Sequence, residues 1–343
     1  MANQTIWSNE STFLQPFKVN WSAFLCFFTV SAILSSRTLI YFDSVDLNNL
    51  IYFSGLSNVY DTFWTQLVEE PLWKYYAEFT GSLLTPELAL RSTIFVSSFG
   101  LLYYANKIGK EAWVFIFLIF IFTAGLSMNL YFTAIRQGAA LTLFMVGLSR
   151  GFKPAIISSL LASLIHTSFV LIFLIIVMVW VSRNLNKWVI SFIISLCIIV
   201  FVMIVSSFSM SIFAEYMGRR ADGYIFGKTL NINYYIIWIP VYFSVILLMK
   251  RYMVSVADIL LWRFVLSFLS LCLLLTFYFE AAQRLLDMSF LFLPLVIARG
   301  FPDRIPKKIA IFWILYIVVV SVYDFSKGSS YFYPSWSLVL FGR

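Results

Sequence analysis

An arginine and a glutamine interrupt an apolar stretch of this chain. Arg136 and Gln137 lie within residues 128–150, MNLYFTAIRQGAALTLFMVGLSR. A guanidinium at the centre of a bilayer costs about 2.5–3.5 kcal/mol on translocon insertion scales. A membrane helix that keeps such a residue is expected to turn it toward a watery cavity that holds an anion. The pair therefore predicts an anion-binding site, provided that the chain lies in a membrane.

Other residues suited to chemistry lie at the ends of the apolar stretches or in the segments that join them. Four of them are arginines: Arg37, Arg219, Arg220 and Arg284. Three acids follow the first apolar stretch: Asp43, Asp46 and Glu70. A guanidinium binds phosphate oxygens bidentately and can stabilise charge on a leaving pyrophosphate. A carboxylate, or the single histidine His166, can take a proton from a sugar hydroxyl. These residue types favour a site for a membrane-anchored phosphate or pyrophosphate.

Each of these residues also has a structural interpretation. Arg37 can snorkel to the interface from a helix end. Arg219 and Arg220 can form a solvated pair in a loop, and Arg136 and Arg284 can each pair with an acid for structural reasons. A lone histidine among apolar residues is often a hydrogen-bonded structural group. Sequence alone leaves these interpretations open.

No metal or cofactor motif is present in the sequence. Cys26, Cys197 and Cys272 are scattered through apolar runs, which predicts neither a disulfide framework nor a metal site. One histidine without clustered cysteines or acids does not have the spacing of metal ligands. The sequence also lacks a phosphate-binding glycine loop and a dinucleotide-binding fingerprint. We therefore expect no metal and no cofactor.

The composition predicts an integral membrane protein. Of 343 residues, 61% are hydrophobic and 12% are charged, and the mean hydropathy is +0.89. A soluble domain carries about 25% charged residues. Apolar runs such as 189–205 do not alternate with polar residues as the strands of a membrane barrel do. We predict an all-α polytopic protein, with one transmembrane domain over residues 1–343.

The apolar runs and the basic loops predict a topology. Predicted spans cover about 20–38, 88–106, 112–129, 131–149, 188–207, 234–249, 258–279, 281–298 and 309–323. A cytoplasmic N-terminus satisfies the positive-inside rule, because it places these basic residues inside: Lys18, Lys107, Lys110, Arg150, Lys153, Lys250, Arg251, Arg299, Arg304, Lys307 and Lys308. The net charge of +8 is then mostly a topology signal, and we expect no nucleic-acid partner.

Residues 155–182 must enter and leave the membrane on the same side for this topology to hold. A single crossing would place Arg183 and Lys187 outside and would invert every later loop. We therefore predict a helical hairpin or two short spans, with a tip near residues 163–168. This gives about nine full transmembrane helices plus a hairpin, or eleven spans.

Two long loops are predicted on the outer side. Residues 39–87 contain aromatic amphipathic patches such as 72–79, LWKYYAEF, which are typical of helices that lie in the membrane interface. Residues 208–233 form the second outer loop.

The order of these residues resembles the EpsG-like branch of Wzy-type polysaccharide polymerases. The resemblance covers about residues 30–300. In chain order it comprises Arg37, then Asp43 or Asp46, Glu70-Pro71, Arg136-Gln137 at the head of a small-residue span, His166-Thr167-Ser168, and Arg284 before Pro294. The chain departs from the usual pattern in two places. Thr167 replaces the proline of a His-Pro-Ser form, and no glycine precedes the first aspartate.

The resemblance implies a metal-independent glycosyltransferase of a bacterial inner membrane, with its active site facing the periplasm. Such proteins transfer a growing chain from its undecaprenyl pyrophosphate to an incoming lipid-linked oligosaccharide repeat. By resemblance, Arg136 and Arg284 bind the donor pyrophosphate, and Arg37, Arg219 or Arg220 assist. Gln137 is a further residue that binds the pyrophosphate or the sugar. The residues that activate the acceptor hydroxyl come from the set Asp43, Asp46, Glu70 and His166. The implied partners are the donor and acceptor lipids, the bilayer and a chain-length regulator.

Two other functions are alternatives to a polymerase. A flippase for lipid-linked oligosaccharide also needs an outward basic cavity, but charges along a full transmembrane path are expected for it, and here they cluster toward one face. An O-antigen ligase also uses arginine and histidine on the outer side, and sequence alone separates it poorly from a polymerase.

Overall fold

The computed structural model describes only part of the chain. The described residues are 20–37, 39, 45–55, 70–110, 112–114, 116–117, 134–184 and 255–275, with scattered residues between 193 and 319. They contain helices and no strand. The helices are α1 (Trp21–Ser36), α2 (Val45–Phe53), α3 (Pro71–Leu83), α4 (Pro86–Ile108), α5 (Ile135–Arg150), α6 (Phe152–Ser163), α7 (Phe169–Val181) and α8 (Val256–Leu275), and a 3₁₀ turn follows α7 at Ser182–Asn184.

Local sequence signals explain where the first and fourth helices begin. The Asn20 side chain accepts a hydrogen bond from the Ala23 N–H at 3.2 Å, which caps α1. Thr85 caps α4 in the same way and is followed by Pro86, whose fixed φ and missing N–H suit the first helical position. The predicted spans at 20–38 and 88–106 are thus helices with recognisable starts.

Two helices are long and apolar enough, by length and composition, to cross a membrane. They are α4 and the Val256–Leu274 part of α8. Shorter apolar helices are α1, α6 and α7. The predicted spans at 112–129, 188–207, 234–249, 281–298 and 309–323 lie largely outside the described residues, so the number of crossings stays a prediction.

The segment 155–182 breaks where the sequence predicted a tip. Helix α6 ends at Ser163, residues 164–168 form a turn, and α7 begins at Phe169. At 1.5 Å per residue the two helices rise about 18 and 20 Å, which is less than the roughly 30 Å of a bilayer core. Each helix alone is therefore too short for a straight full crossing.

Contacts divide the chain into two compact units, Met1–Phe169 with Ile311–Arg343 and Val170–Ala310. In the first unit, aromatic edges join α1 to α4. Phe24 and Phe28 of α1 meet Phe99 and Phe95 of α4, each pair with ring centroids 5.2 Å apart. Edge-to-face pairs of this kind stabilise the fold by more than the burial of their apolar area alone provides.

Arg91 of α4 holds the carboxyl end of α1. Its Nη1 donates to the carbonyls of Ser35 and Arg37 at 2.8 Å each, and its Nε and Nη2 bind Glu87. Sequence alone suggests that Arg91 snorkels from a helix end. The structure instead gives it a capping role, because the last carbonyls of α1 lack partners within the helix.

The second unit also contains a buried arginine. Sequence alone suggests that this residue snorkels from a helix end. Arg263 of α8 is 3% exposed, and its Nη1 donates to the Ser182 carbonyl at 3.1 Å. Near the start of α8, the buried Asp258 pairs with Arg299, whose side chain is 8% exposed. Farther along, the rings of Phe264 and Phe268 pack against other apolar side chains.

Helices α5 and α6 approach closely at a glycine. A Cβ built on Gly147 would lie 1.9 Å from Ser158 Oγ and 2.6 Å from the Pro154 carbonyl oxygen. Gly151 joins the two helices with a backbone φ of +125°, which residues that carry a Cβ rarely adopt. The Arg136 end of α5 and the His166 end of α6 are thus carried on one tightly packed helix pair.

We predict that Gly147→Ala lowers the stability of the chain by about 1–3 kcal/mol, the usual cost of overpacking. The backbone oxygen of Pro154 cannot move aside without shifting α6. Gly100→Ala is the control, because its added Cβ would meet only the Thr142 methyl, at 2.7 Å. Thermal unfolding in detergent, followed by tryptophan fluorescence, measures the stability of both variants. Equal stability of the two variants would contradict this packing.

Candidate functional site

A buried glutamate lies at the start of α3. Glu70 is the N-cap residue, and its residue exposure is 4%. Its backbone adopts φ +65° and ψ +64°, a left-handed conformation that is unfavourable for a residue with a Cβ. Pro71 then begins the helix. Strained backbone of this kind persists only where the surroundings hold it, and it is common at functional sites.

One carboxylate oxygen of Glu70 pairs with Arg136. The Nη1 of Arg136 donates to Glu70 Oε2. Arg136 stands in the first turn of α5, and its guanidinium lies over the ring of Tyr52 in α2, with Cζ 5.3 Å from the ring centroid. An arginine over an aromatic face is attracted by the ring quadrupole. The guanidinium is therefore held from two sides, by a carboxylate and by a ring.

The other carboxylate oxygen of Glu70 meets the turn between α6 and α7. His166 Nδ1 lies 3.2 Å from Glu70 Oε1, and the Thr167 N–H donates to the same oxygen at 3.3 Å. The turn is also joined to α3 through the backbone, because the Leu72 N–H donates to the Leu164 carbonyl at 3.0 Å. This bond satisfies one of the N–H groups that the first turn of a helix leaves open.

The surroundings of Glu70 favour its ionised form. Burial by itself would raise the pKa of this carboxyl. The hydrogen bond from His166, the charges of Arg136 and His166, and the N–H of Thr167 outweigh it, and the pKa lies below its ordinary value of 4.5. Glu70 is thus a carboxylate that its surroundings stabilise in the ionised form.

The two partners of Glu70 are more exposed than Glu70 itself. The side chain of Glu70 is 5% exposed, whereas those of Arg136 and His166 are 29% and 26% exposed. A guanidinium has five N–H donors, so Arg136 can bind Glu70 and an anion together. The arrangement places a cation and an imidazole side by side at an accessible edge, with their shared carboxylate behind them.

The first turn of α5 has further donors. Its N-cap residue, Ala134, has no side-chain oxygen with which to cap the helix, although alanine at an N-cap costs about 1 kcal/mol relative to a capping residue. Gln137 is 4% exposed, and its side-chain amide makes no hydrogen bond to any residue that the structure describes. Open backbone N–H groups at a helix start favour anions.

The structure therefore brings together three of the residues predicted for the site: Glu70, Arg136 and His166. Gln137 follows Arg136 in α5. Arg37 is buried at the end of α1, at 2% exposure, and it is not among the described contacts of Glu70. Asp46 lies in α2, but its side chain is outside the described part. Four predicted residues lie wholly outside it: Asp43, Arg219, Arg220 and Arg284.

Sequence reasoning missed two contributors to this site. Tyr52 had no distinguishing signal, because it is one of 19 tyrosines. The Thr167 N–H is a backbone donor, and its only signal was the absence of the proline found in the His-Pro-Ser form, since proline has no N–H. Among the described residues, no group of three or more histidines, cysteines or acids converges in a way that would hold a metal.

Comparison with known families decides the relationship of the chain. The EpsG family profile matches residues 50–334, which include Glu70, Arg136 and His166. The chain belongs to the EpsG family. This membership, together with the apolar helices, indicates a membrane protein of polysaccharide biosynthesis. Neither a curated protein nor a solved structure matches the chain.

We predict that the stability contributed by Glu70 is lost in acid. A carboxyl whose pKa is lowered by folding stabilises the folded state above its unfolded pKa, and this contribution disappears as the pH falls through the folded-state pKa. The unfolding free energies of the wild type and of Glu70→Gln should therefore differ at neutral pH and converge well below pH 4.5.

The control for this measurement is Glu87→Gln, which removes an acid from the more exposed pair with Arg91. Its effect on the unfolding free energy should be small, because exposed pairs contribute little. A gap between wild type and Glu70→Gln that stays constant across the acid range would contradict the lowered pKa.

Proposed function

We propose that this EpsG-family chain is a Wzy-type polymerase of surface polysaccharide. Its substrates are oligosaccharide repeats linked to undecaprenyl pyrophosphate, and it joins them at the periplasmic face of a bacterial inner membrane. The observation that carries the proposal is the pairing of Arg136 and His166 with the two oxygens of one buried carboxylate. An anion-binding group and a proton acceptor are then adjacent, as glycosyl transfer from a pyrophosphate requires.

Arg136 binds the donor pyrophosphate in this proposal. Its planar guanidinium can bind two phosphate oxygens at once, and the N–H groups that do not bind Glu70 are available for the pyrophosphate. The open N–H groups at the start of α5 add neutral donors close to Arg136, and Gln137, the next residue of the helix, is a further candidate. Donors fixed before the reaction stabilise the charge that develops on the leaving group.

His166 is the better candidate for the base that activates the acceptor. Glu70 is buried and its carboxylate is stabilised by three partners, so it is a weak proton acceptor. Imidazole is the side chain that most often serves as a general base, and His166 is accessible. The roles predicted for Asp43 and Asp46 stay predictions.

The proposed step is a displacement at the anomeric carbon of the donor sugar. The acceptor hydroxyl oxygen forms a bond to that carbon, and its proton passes to His166. The bond between the anomeric carbon and the pyrophosphate oxygen breaks, and the pyrophosphate takes the electron pair next to Arg136. The products are a chain one repeat longer, still linked to the undecaprenyl pyrophosphate of the acceptor, and the free undecaprenyl pyrophosphate of the donor. The protonated imidazole then returns its proton to water.

The other parts of the proposal follow from the sequence. The N-terminus lies in the cytoplasm, and the loops 39–87 and 208–233 lie outside. Arg37, Arg219, Arg220 and Arg284 are further candidates for contacts with the substrate. A chain-length regulator is a candidate protein partner.

We predict that Arg136→Ala reduces polymer to single repeats while the protein still inserts. Arg136→Lys should restore little activity, because an ammonium is a point charge without the bidentate fork. Arg150→Ala is the matched control, since this exposed arginine ends the same helix. The measurement is a polysaccharide ladder gel from a deletion strain that expresses each variant, with membrane levels compared by immunoblot.

Two outcomes of the same gel would overturn the assignment. Normal long chains from Arg136→Ala would remove this arginine from the donor site. Loss of all surface sugar in the deletion strain, rather than single-repeat product, would indicate a flippase or a ligase.

A further inference from the structure

We infer that Glu70 is a positioning residue that holds His166 in one tautomer, with the proton on Nδ1 and with Nε2 left as the atom that receives the acceptor proton. The inference rests on the proposed function for its meaning, but the tautomer itself is a property of the protein without substrate.

The geometry around Nδ1 supports this tautomer. Nδ1 lies 3.2 Å from the carboxylate oxygen Oε1 of Glu70, and the Ser168 backbone N–H points toward the same nitrogen from 3.5 Å. A single ring nitrogen cannot donate to the first and accept from the second. An ionised carboxylate only accepts hydrogen bonds, and 3.5 Å is at the outer limit for a hydrogen bond. A charge-assisted hydrogen bond to a carboxylate is stronger than a long neutral one, and a ring nitrogen without a proton would face the negative oxygen with its lone pair. The carboxylate contact therefore favours a proton on Nδ1.

The partners of Glu70 keep it ionised and fixed in place. Arg136 occupies Oε2, and the Thr167 N–H shares Oε1 with the imidazole. At 5% side-chain exposure, water has little access to compete for these oxygens. A carboxylate held in this way can orient an imidazole and stabilise the imidazolium that forms when it accepts a proton.

The other ring nitrogen has no competing partner in the described part of the chain. No described contact of His166 involves Nε2, and the side chain is 26% exposed. In the neutral imidazole with Nδ1 protonated, Nε2 is an acceptor. Glu70 thereby links the two functions of the site, because the same carboxylate that aligns Arg136 also sets which atom of His166 is basic.

His166 is the only histidine in the chain, which makes the tautomer directly measurable. We would label the full-length protein with ¹⁵N-histidine, purify it with an affinity tag free of histidine, and reconstitute it in lipid nanodiscs. Protonated and unprotonated ring nitrogens have well-separated ¹⁵N chemical shifts. We expect Nδ1 protonated and Nε2 unprotonated at alkaline pH. The opposite tautomer, or an average of the two, would overturn the inference.

Three variants separate positioning from other roles. Glu70→Gln should give a mixture of tautomers, because a neutral amide can both accept from and donate to Nδ1. Arg136→Gln should keep the Nδ1 proton, because it leaves the carboxylate next to His166. Glu87→Gln, in the exposed pair, should change nothing. An unchanged tautomer in Glu70→Gln would contradict the positioning role.

Kinetics with purified protein and lipid-linked repeats complete the test. Glu70→Gln should lower kcat by at most about 10²–10⁴-fold, the whole contribution of a general base, because His166 itself remains, and the change in KM should be smaller. If a variant without the fixed tautomer kept full activity, the tautomer would have no role in catalysis. Its assignment in the wild-type protein would still stand. The expected tautomer in a wild-type protein that makes no polymer would refute the proposed function alone.

Discussion

The burial of one carboxylate governs the arrangement of the site. An isolated charge removed from water costs far more than a folded chain can supply, so a buried carboxylate must be paired and hydrogen-bonded. Glu70 meets this requirement with Arg136, His166 and the Thr167 N–H. These partners lie 66 and about a hundred residues away along the chain. Satisfying Glu70 therefore requires the start of α3, the start of α5 and the turn after α6 to meet.

The helices around Glu70 are built to keep that meeting point fixed. Gly147 lets α5 and α6 pack closely, and these helices carry Arg136 and the His166 turn. Trp73, in the first turn of α3, is buried and packs against Phe53 of α2 at a centroid distance of 5.7 Å. Tyr52, the neighbour of Phe53, lies under the guanidinium. Aromatic packing thus positions α3 and supports the arginine at once, while the edge of the site with Arg136 and His166 stays accessible.

Sequence was sufficient for the features that a single segment determines. The cost of a guanidinium among apolar residues singled out Arg136. The parity of the basic loops predicted a tip near residues 163–168, and the helices are interrupted at residues 164–168. Sequence was insufficient where the answer depended on contacts between distant segments. Glu70 and His166 were both among the candidate bases. Only their contact, with Arg136 on the other oxygen, distinguishes a stabilised carboxylate from an accessible imidazole. The capping role of Arg91 was missed for the same reason.

The coupling between Glu70 and Arg136 tests this account most directly. Unfolding free energies of the wild type, Glu70→Gln, Arg136→Gln and the double variant, measured in one detergent at neutral pH, form a double-mutant cycle. Residues joined in one buried network show coupling of about 0.5–3 kcal/mol. We expect the double variant to be more stable than the sum of the single losses implies, because each single change leaves the other charge buried without its partner. Strictly additive losses would show that the two side chains do not meet, and the shared-carboxylate site would then have no basis.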